Sequence, residues 1–172
     1  MKKLIALTTL TLFAATAIPA TSAFASEEIT PEAFSETKVT EIIQSNDPTV
    51  TIEKTDDGGI TVTKQESLAR AAVYRWGGLE YTNVAISTGV LAGAINTAFY
   101  SGLGASISMF GGIPGWAIQG LLNGASWTKL GGKPGEAVAK KWDKNGNGWV
   151  GFYYQRGYDA AGRVVATRYS TL

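Results

Sequence analysis

The longest uncharged stretch of the chain runs from Tyr81 to Thr128 and reads YTNVAISTGVLAGAINTAFYSGLGASISMFGGIPGWAIQGLLNGASWT. None of its 48 residues is Asp, Glu, Lys or Arg, so burial of the stretch carries no charge penalty. It divides near Gly102-Leu103-Gly104 into two segments of roughly 20 residues, the length that crosses the hydrocarbon core of a bilayer. Whether this stretch is buried in protein or in lipid decides the fold.

Small residues recur at every fourth position in both segments. On a helix this spacing forms a ridge of small side chains, which lets another backbone approach closely. Pro114 and the glycines before it interrupt the pattern, since proline costs about 3 kcal/mol inside a helix. The stretch therefore predicts helices at 83–102, 104–110 and 114–124. The first ridge is Ala85, Gly89, Gly93, Thr97 and Ser101; the second, interrupted by Trp116, is Ser108, Gly112, Gly120 and Gly124.

Three interpretations of these helices are open. They form a glycine-zipper hairpin that enters a target membrane, the core of a folded domain packed closely through glycine, or a permanent membrane anchor. The stretch is only modestly apolar because it contains several Asn, Gln, Ser and Thr residues, which disfavours the permanent anchor. The residues predicted at a membrane interface are Tyr100, Trp116, Trp127, Lys129, Lys133, Lys140 and Lys141.

Strands are predicted on both sides of the uncharged stretch. A hairpin near 49–64 is indicated by alternating apolar and polar residues around Asp56-Asp57-Gly58-Gly59. A second hairpin is indicated by aromatic and β-branched runs at 149–158 and 163–171 around a turn that ends at Gly162. Short helices are predicted at 31–45, from Lys64 or Gln65 to Trp76, and at 136–142. The predicted fold class is α+β, with a Gly-rich helical hairpin or bundle flanked by an N-terminal β-hairpin and a C-terminal antiparallel aromatic β-hairpin.

The charges of the chain are divided unevenly. Residues 26–80 contain 11 acidic and five basic residues, a net charge of −6, whereas residues 81–172 contain three acidic and eight basic residues, a net charge of +5. An acidic pro-segment that masks a cationic, surface-seeking part would produce this division. Two oppositely charged halves that pack together, or a solvated acidic arm, would produce it equally.

The first 25 residues predict a Sec-type signal peptide. Lys2 and Lys3 precede an apolar run, and Ala23-Phe24-Ala25 is a small-x-small cleavage site. A retained N-terminal anchor is the alternative. The predicted organisation is a signal peptide (1–25), an acidic region (26–80), the uncharged helical segment (81–128) and a cationic aromatic β module (129–172), with a secreted, extracellular location.

The missing residue types exclude several kinds of chemistry. The chain has no His and no Cys, which excludes Ser-His and Cys-His nucleophile pairs, the usual zinc clusters and disulfides. Residues 143–148 match the opening of an EF-hand calcium loop, but position twelve is Tyr154 instead of a bidentate Glu, which favours a simple Asn-Gly turn. The sequence predicts no enzyme activity, no catalytic residue, no metal, no cofactor and no nucleic-acid partner.

An acidic leader-like part, an uncharged G-x-x-x-G segment and a cationic aromatic tail together resemble a class II bacteriocin-type antimicrobial precursor. The resemblance covers 81–172 and lies in Gly89/Gly93, Gly120/Gly124, Lys140/Lys141 and the Trp and Tyr residues; a YGNGV-type motif, a Cys pair and a valid double-glycine leader are missing. It implies a secreted protein that permeabilises bacterial membranes, with anionic lipid and its own copies as partners and an unknown receptor or immunity protein. The short signal peptide and the lack of disulfides resemble secreted proteins of Gram-positive bacteria. The alternative is a non-enzymatic secreted or cell-wall-associated binding module with core helices, whose exposed Trp and Tyr side chains contact a glycan or a protein.

Overall fold

The computed structural model describes residues 38–66 and 72–172. Within these ranges the chain forms one antiparallel sheet of seven strands and four α-helices, so the predicted α+β class is confirmed. The predicted signal peptide 1–25 and the acidic residues before Lys38 lie outside the described residues.

The two predicted hairpins are parts of a single sheet. Its strands are β1 (Val39–Gln44), β2 (Val50–Thr55), β3 (Ile60–Gln65), β4 (Arg75–Trp76), β5 (Glu80–Ser87), β6 (Trp149–Tyr158) and β7 (Val164–Thr171). The order is β1-β2-β3-β7-β6, and both β4 and β5 pair with the far side of β6. The N-terminal hairpin β2/β3 joins the C-terminal hairpin β6/β7 through antiparallel pairing of β3 with β7, which places Val62 opposite Tyr169.

Helices pack on one face of this sheet. They are α1 (Thr88–Ser101), α2 (Leu103–Ser106), α3 (Gly115–Gly124) and α4 (Gly135–Trp142), with short 3-10 turns at Ile107–Phe110 and Trp127–Lys129. The helix α3 lies on β2 and β3, whereas α1 packs mainly against α4. The largest fully buried side chains, half of which come from the uncharged stretch, are Trp142, Phe110, Phe152, Ile52, Leu91, Ile95, Ile118, Leu121, Leu122, Val62, Val138 and Val150.

The helix predicted at 31–45 is wrong where the structure describes it, because residues 39–44 form β1. Val39, Thr40, Ile42 and Ile43 are β-branched and lose side-chain freedom in a helix. The exposed edge of β2 offers them a partner, and Ile43 pairs with Ile52 there. A strand is therefore favoured both by the side chains and by the available partner.

The helix predicted at 83–102 begins five residues too early. Residues 80–87 form β5, and α1 begins at Thr88. β-Branched Thr82, Val84 and Ile86 alternate in this segment, which suits a strand that pairs with β6. Asn83 has a φ of 61°, within a break of register between Tyr81 and Ala85. Ala85 consequently belongs to a strand and not to the predicted helical ridge.

The helix predicted from Lys64 or Gln65 to Trp76 is also wrong at both of its ends. Lys64 and Gln65 close β3, and Arg75 and Trp76 form β4. Both pairs of residues hydrogen-bond into the sheet, because β7 and β6 present open edges to them. Residues 67–71 lie outside the described residues.

Glycines permit the closest approaches in the helix layer. A Cβ atom at Gly120 would lie 2.8 Å from Cγ2 of Val62, and one at Gly124 would lie 3.3 Å from Cγ2 of Ile52. A Cβ atom at Gly135 would lie 2.8 Å from the carbonyl carbon of Ala92 in α1. Gly120 and Gly124 therefore allow α3 to pack directly against the sheet, and Gly135 allows α4 to contact the main chain of α1.

The turn at Asp57 makes stability depend on pH. The hydroxyl of Thr55, the amide of Gly59 and the Lys144 ammonium donate to its carboxylate and lower the pKa of Asp57 from 3.8 to about 2. A folded-state pKa below the unfolded value stabilises the fold above pH 3.8, and this contribution is lost as the pH falls toward 2. We expect Asp57→Asn to lower Tm by a few degrees at pH 7, since the side chain is half exposed, and by clearly less at pH 2. Thermal melts of both proteins from pH 7 to pH 2 check this; an equal difference at all pH values would contradict it.

Candidate ligand-binding face

The two faces of the sheet differ in what covers them. Along β6, Val150 and Phe152 are fully buried under the helices, whereas Trp149 is 53 % exposed on the opposite side. Residues that pair across an antiparallel sheet project from the same face, so the register carries this alternation to the other strands. We call the side opposite the helices the outer face.

Three aromatic side chains lie on the same part of the outer face. Tyr153 on β6 pairs with Tyr81 on β5, and the centroids of their rings are 5.3 Å apart. Trp149 projects from the same face of β6, and Tyr81 is 43 % exposed. We call Tyr81, Trp149 and Tyr153 the aromatic platform.

A glycine allows the ring of Tyr153 to lie along the strand. A Cβ atom at Gly151 would lie 3.0 Å from Cε2 of Tyr153 and 3.6 Å from its hydroxyl oxygen. The ring therefore occupies the space above Gly151, between Tyr153 and Trp149. Leu172 is held opposite Gly151 by main-chain hydrogen bonds of 2.9 and 3.1 Å, which fixes the strand beneath the platform.

Arg168 is held next to the platform on the outer face of β7. Its Cζ lies 4.2 Å from the centroid of the Trp76 ring, and its Nε donates a 2.7 Å hydrogen bond to Oε1 of Gln155. Gln155 is fixed in turn because its Nε2 donates a 3.0 Å hydrogen bond to the carbonyl oxygen of Gly77. Burial lowers the pKa of Arg168, and the charge of Glu53 acts in the opposite sense. The guanidinium is thus a positioned, half-buried cation.

Hydroxyl groups occupy much of the remaining outer face. Four cross-strand neighbours form one row across the sheet from β2 to β6, in the order Glu53, Thr61, Ser170 and Tyr153. All four are half-buried. The outer face therefore combines aromatic rings with groups that donate and accept hydrogen bonds.

A second polar cluster lies on the helix side of β6 and β7. Tyr154 donates a hydrogen bond to Oε2 of Glu80, which raises the pKa of Tyr154. Cζ of Arg156 lies 5.3 Å from the centroid of the Tyr154 ring. Tyr169 packs edge-on against Trp116 with centroids 5.4 Å apart, and burial raises the pKa of its hydroxyl. These groups therefore contact one another, and Tyr169 also contacts α3 through Trp116.

The predicted insertion residues do not form one surface. Gly89 and Gly93 are exposed on α1, and a Cβ atom built at either would meet nothing within 4 Å. Thr97 donates a 2.9 Å hydrogen bond to the carbonyl oxygen of Gly93, and Ser101 is exposed at the end of the helix.

The second predicted ridge is divided in the same way. Gly120 and Gly124 are buried against the sheet, whereas Gly112 is exposed in a turn with a φ of 87°. The two ridges therefore do not meet, because the exposed glycines of the first lie on α1 whereas Gly120 and Gly124 of the second face β2 and β3.

The predicted membrane-interface residues lie in different environments. Trp127 is 8 % exposed and packs edge-on against Phe99, and Trp116 is half-buried. Tyr100 is 66 % exposed and donates a hydrogen bond to the carbonyl oxygen of Gly132. The exposed members of the set also include Lys129, Lys133, Lys140 and Lys141.

The segment that matches a calcium loop forms a turn in which side-chain oxygens accept hydrogen bonds from main-chain amides. The Asp143 carboxylate accepts hydrogen bonds from the amides of Asn147 and Gly148 at 3.1 and 2.9 Å. Oδ1 of Asn147 accepts a 2.8 Å hydrogen bond from the amide of Trp149, where β6 begins. The side-chain oxygens of this segment therefore organise the entry into β6. No group of three acidic residues placed to hold a metal ion occurs in residues 38–66 and 72–172.

Sequence reasoning did not single out Tyr81, Tyr153, Gln155 or Arg168. A usable signal was present on β6, where positions 149, 151, 153 and 155 alternate with the apolar positions 150 and 152. This period of two assigns Trp149 and Tyr153 to the same face, opposite the apolar side chains. The contribution of β5 and β7 to that face could not be seen without the register.

Among the described residues, no helix has both the length and the hydropathy needed to cross a bilayer. Comparison with models of known protein families, with curated proteins and with solved structures finds no match to this chain.

Proposed function

We propose that this chain is a non-enzymatic, exported binding module that holds a glycan chain on the outer face of its sheet. The observation that carries the proposal is the aromatic platform. Its three rings lie on the face that the helices leave open, the rings of Tyr81 and Tyr153 are 5.3 Å apart, and two of its members are 43 % and 53 % exposed. Exposed aromatic side chains grouped on one surface favour recognition of a partner.

The chemistry of the outer face suits a sugar. The faces of a pyranose ring carry C–H groups that pack against aromatic rings, while its hydroxyls require hydrogen-bond partners at the edge. The platform supplies the rings, and Thr61, Ser170 and Glu53 supply hydroxyl and carboxylate groups in the row that includes Tyr153. From Trp149 to Tyr153 the strand spans about 13 Å, enough for two or three linked sugar rings.

The proposal predicts that the platform carries the affinity for glycans. We expect Trp149→Ala and Tyr153→Ala each to weaken binding of a responsive hexasaccharide by about tenfold or more, because each removes a central stacking surface. Titration calorimetry of the chain from residue 26 against cellohexaose, chitohexaose and a galacturonic acid hexamer measures this. Tyr100→Ala is the matched control, since it removes an exposed aromatic ring from α1, in the helix layer on the other side of the sheet.

Equal losses in the control and the platform variants would contradict the proposal, as would wild-type protein that binds none of the three glycans. The same protein is tested for dye release from anionic liposomes. Membrane permeabilisation is the second candidate function, favoured by the exposed, uncharged side that Gly89 and Gly93 give to α1. Release at micromolar protein without glycan binding would favour that candidate.

A further inference from the structure

Arg168 has more hydrogen-bonding capacity than its described neighbours use. A guanidinium group carries five N–H donors, and Gln155 accepts the one on Nε. Among residues 38–66 and 72–172, the two Nη groups find no hydrogen-bond acceptor and Arg168 forms no ion pair. The edge of the guanidinium that suits a two-oxygen anion is therefore unused within the described fold.

The position of this cation is unusual among the charged side chains in residues 38–66 and 72–172. Arg163 is exposed and is nevertheless paired with Asp159 at 2.8 Å, whereas Arg168 is half-buried beneath Trp76. Glu53 acts on Arg168 only through its charge and makes no ion pair with it. A cation withdrawn from water is ordinarily paired, so the site gains stability when an oxyanion arrives.

The sheet register places Arg168 beside the row formed by Glu53, Thr61, Ser170 and Tyr153. Ser170 pairs with Tyr153, and Arg168 pairs with Gln155, which is the next outward position along β6. Two residues along a strand correspond to about 7 Å, close to the size of one sugar ring. A ring stacked on Tyr153 would thus bring an acidic substituent to Arg168.

We propose that Arg168 receives an oxyanion of the ligand, so that the preferred partner is a glycan or polyol polymer bearing carboxylate or phosphate groups. This inference rests on the proposed function. The fixed orientation of the guanidinium, held on one face by Trp76 and at Nε by Gln155, preorganises it for a bidentate contact.

The test compares ligands that differ in charge. Titration calorimetry at low salt uses the chain from residue 26 with chitohexaose, a galacturonic acid hexamer and a glycerol phosphate polymer. We expect at least one acidic ligand to bind about tenfold more tightly than the neutral hexamer. Arg168→Gln should remove that preference and leave binding of the neutral hexamer within about twofold, while Arg168→Lys should retain part of it. Arg156→Gln is the control, because it removes the same charge from the helix face of β6 and should keep the preference.

Each result is decisive. Preference for the galacturonic acid hexamer or for the phosphate polymer supports the inference and identifies the source of the oxyanion. A preference that survives Arg168→Gln, or a wild-type protein that binds the neutral hexamer as tightly as both acidic ligands, overturns the inference but not the proposed function. Failure to bind any of the three overturns the inference, and failure to bind cellohexaose as well overturns the proposed function. Thermal melting checks that each variant is folded. If Arg168→Gln does not fold, the comparison is made with Arg168→Lys.

Discussion

Replacing Gly135 by alanine is expected to destabilise the fold by about 3 kcal/mol. A Cβ atom at this position would lie 2.8 Å from the carbonyl carbon and 2.9 Å from the Cα atom of Ala92. These are main-chain atoms within α1, so they cannot rotate out of the way as the end of a side chain can. The two helices would have to separate, which would also strain the 2.9 Å hydrogen bond from the amide of Gly135 to Oδ1 of Asn96.

A matched glycine on the same pair of helices should behave in the opposite way. Gly93 lies inside α1, is exposed, and has nothing within 4 Å of a Cβ atom built on it. Gly93→Ala is therefore expected to raise stability by roughly 0.5 to 1 kcal/mol through helix propensity alone. Urea unfolding of the three proteins, followed by circular dichroism, gives both free energies. Similar stabilities for the two variants would show that the α1–α4 contact is looser than described.

The sequence was sufficient to predict elements whose cause is local. The turn at Asp57-Gly58 and the turn that ends at Gly162 have the residues that such turns require, and both glycines have positive φ values of 78° and 80°. The hairpins β2/β3 and β6/β7 follow from these turns and from alternation along the flanking strands. Pro114 likewise marks the beginning of α3, because proline is accepted at the start of a helix and not within it.

The sequence was insufficient where the cause is a distant partner. Within residues 80–87, Ala85 continues the helical spacing of small residues in the following stretch, and the assignment of this segment to a strand depends on the open edge of β6, more than 60 positions away in the chain. Pairing of β3 with β7 is equally non-local. Spacing shows which residues lie in line, but not what faces them, so it predicts the same role for Gly93 and Gly120 although one is exposed and the other is buried against Val62.

The candidate site depends on the same non-local pairing. Tyr81, Tyr153 and Arg168 come from three strands and lie together only because β5 and β7 flank β6. Each residue is unremarkable in its own segment, where tyrosine and arginine are common on exposed strand positions. The sequence therefore predicts that exposed Trp and Tyr side chains form a surface, but it does not show which of these residues lie together.

The segment 81–172 produced without the preceding residues is expected not to fold. Strands β1 to β4 would be absent, and with them four core side chains: Val50, Ile52, Ile60 and Val62. Complete burial of an aliphatic side chain of this size contributes about 1.5 to 3 kcal/mol, so the loss is roughly 6 to 12 kcal/mol. The net stability of a domain is of the same size, at about 5 to 15 kcal/mol.

The truncation also leaves surfaces that have no substitute. Gly120 and Gly124 would face water instead of β2 and β3, and β7 would present an unpaired edge. Thermal melting should show a cooperative transition for 26–172 and none for 81–172, whose far-ultraviolet dichroism should indicate loss of sheet. A cooperative melt of 81–172 would contradict this expectation. Such a melt would mean that the acidic region is separable from the fold, as a removable pro-segment requires. Unfolding of 81–172 would instead mean that the acidic and basic halves form one folding unit, joined by the pairing of β3 with β7.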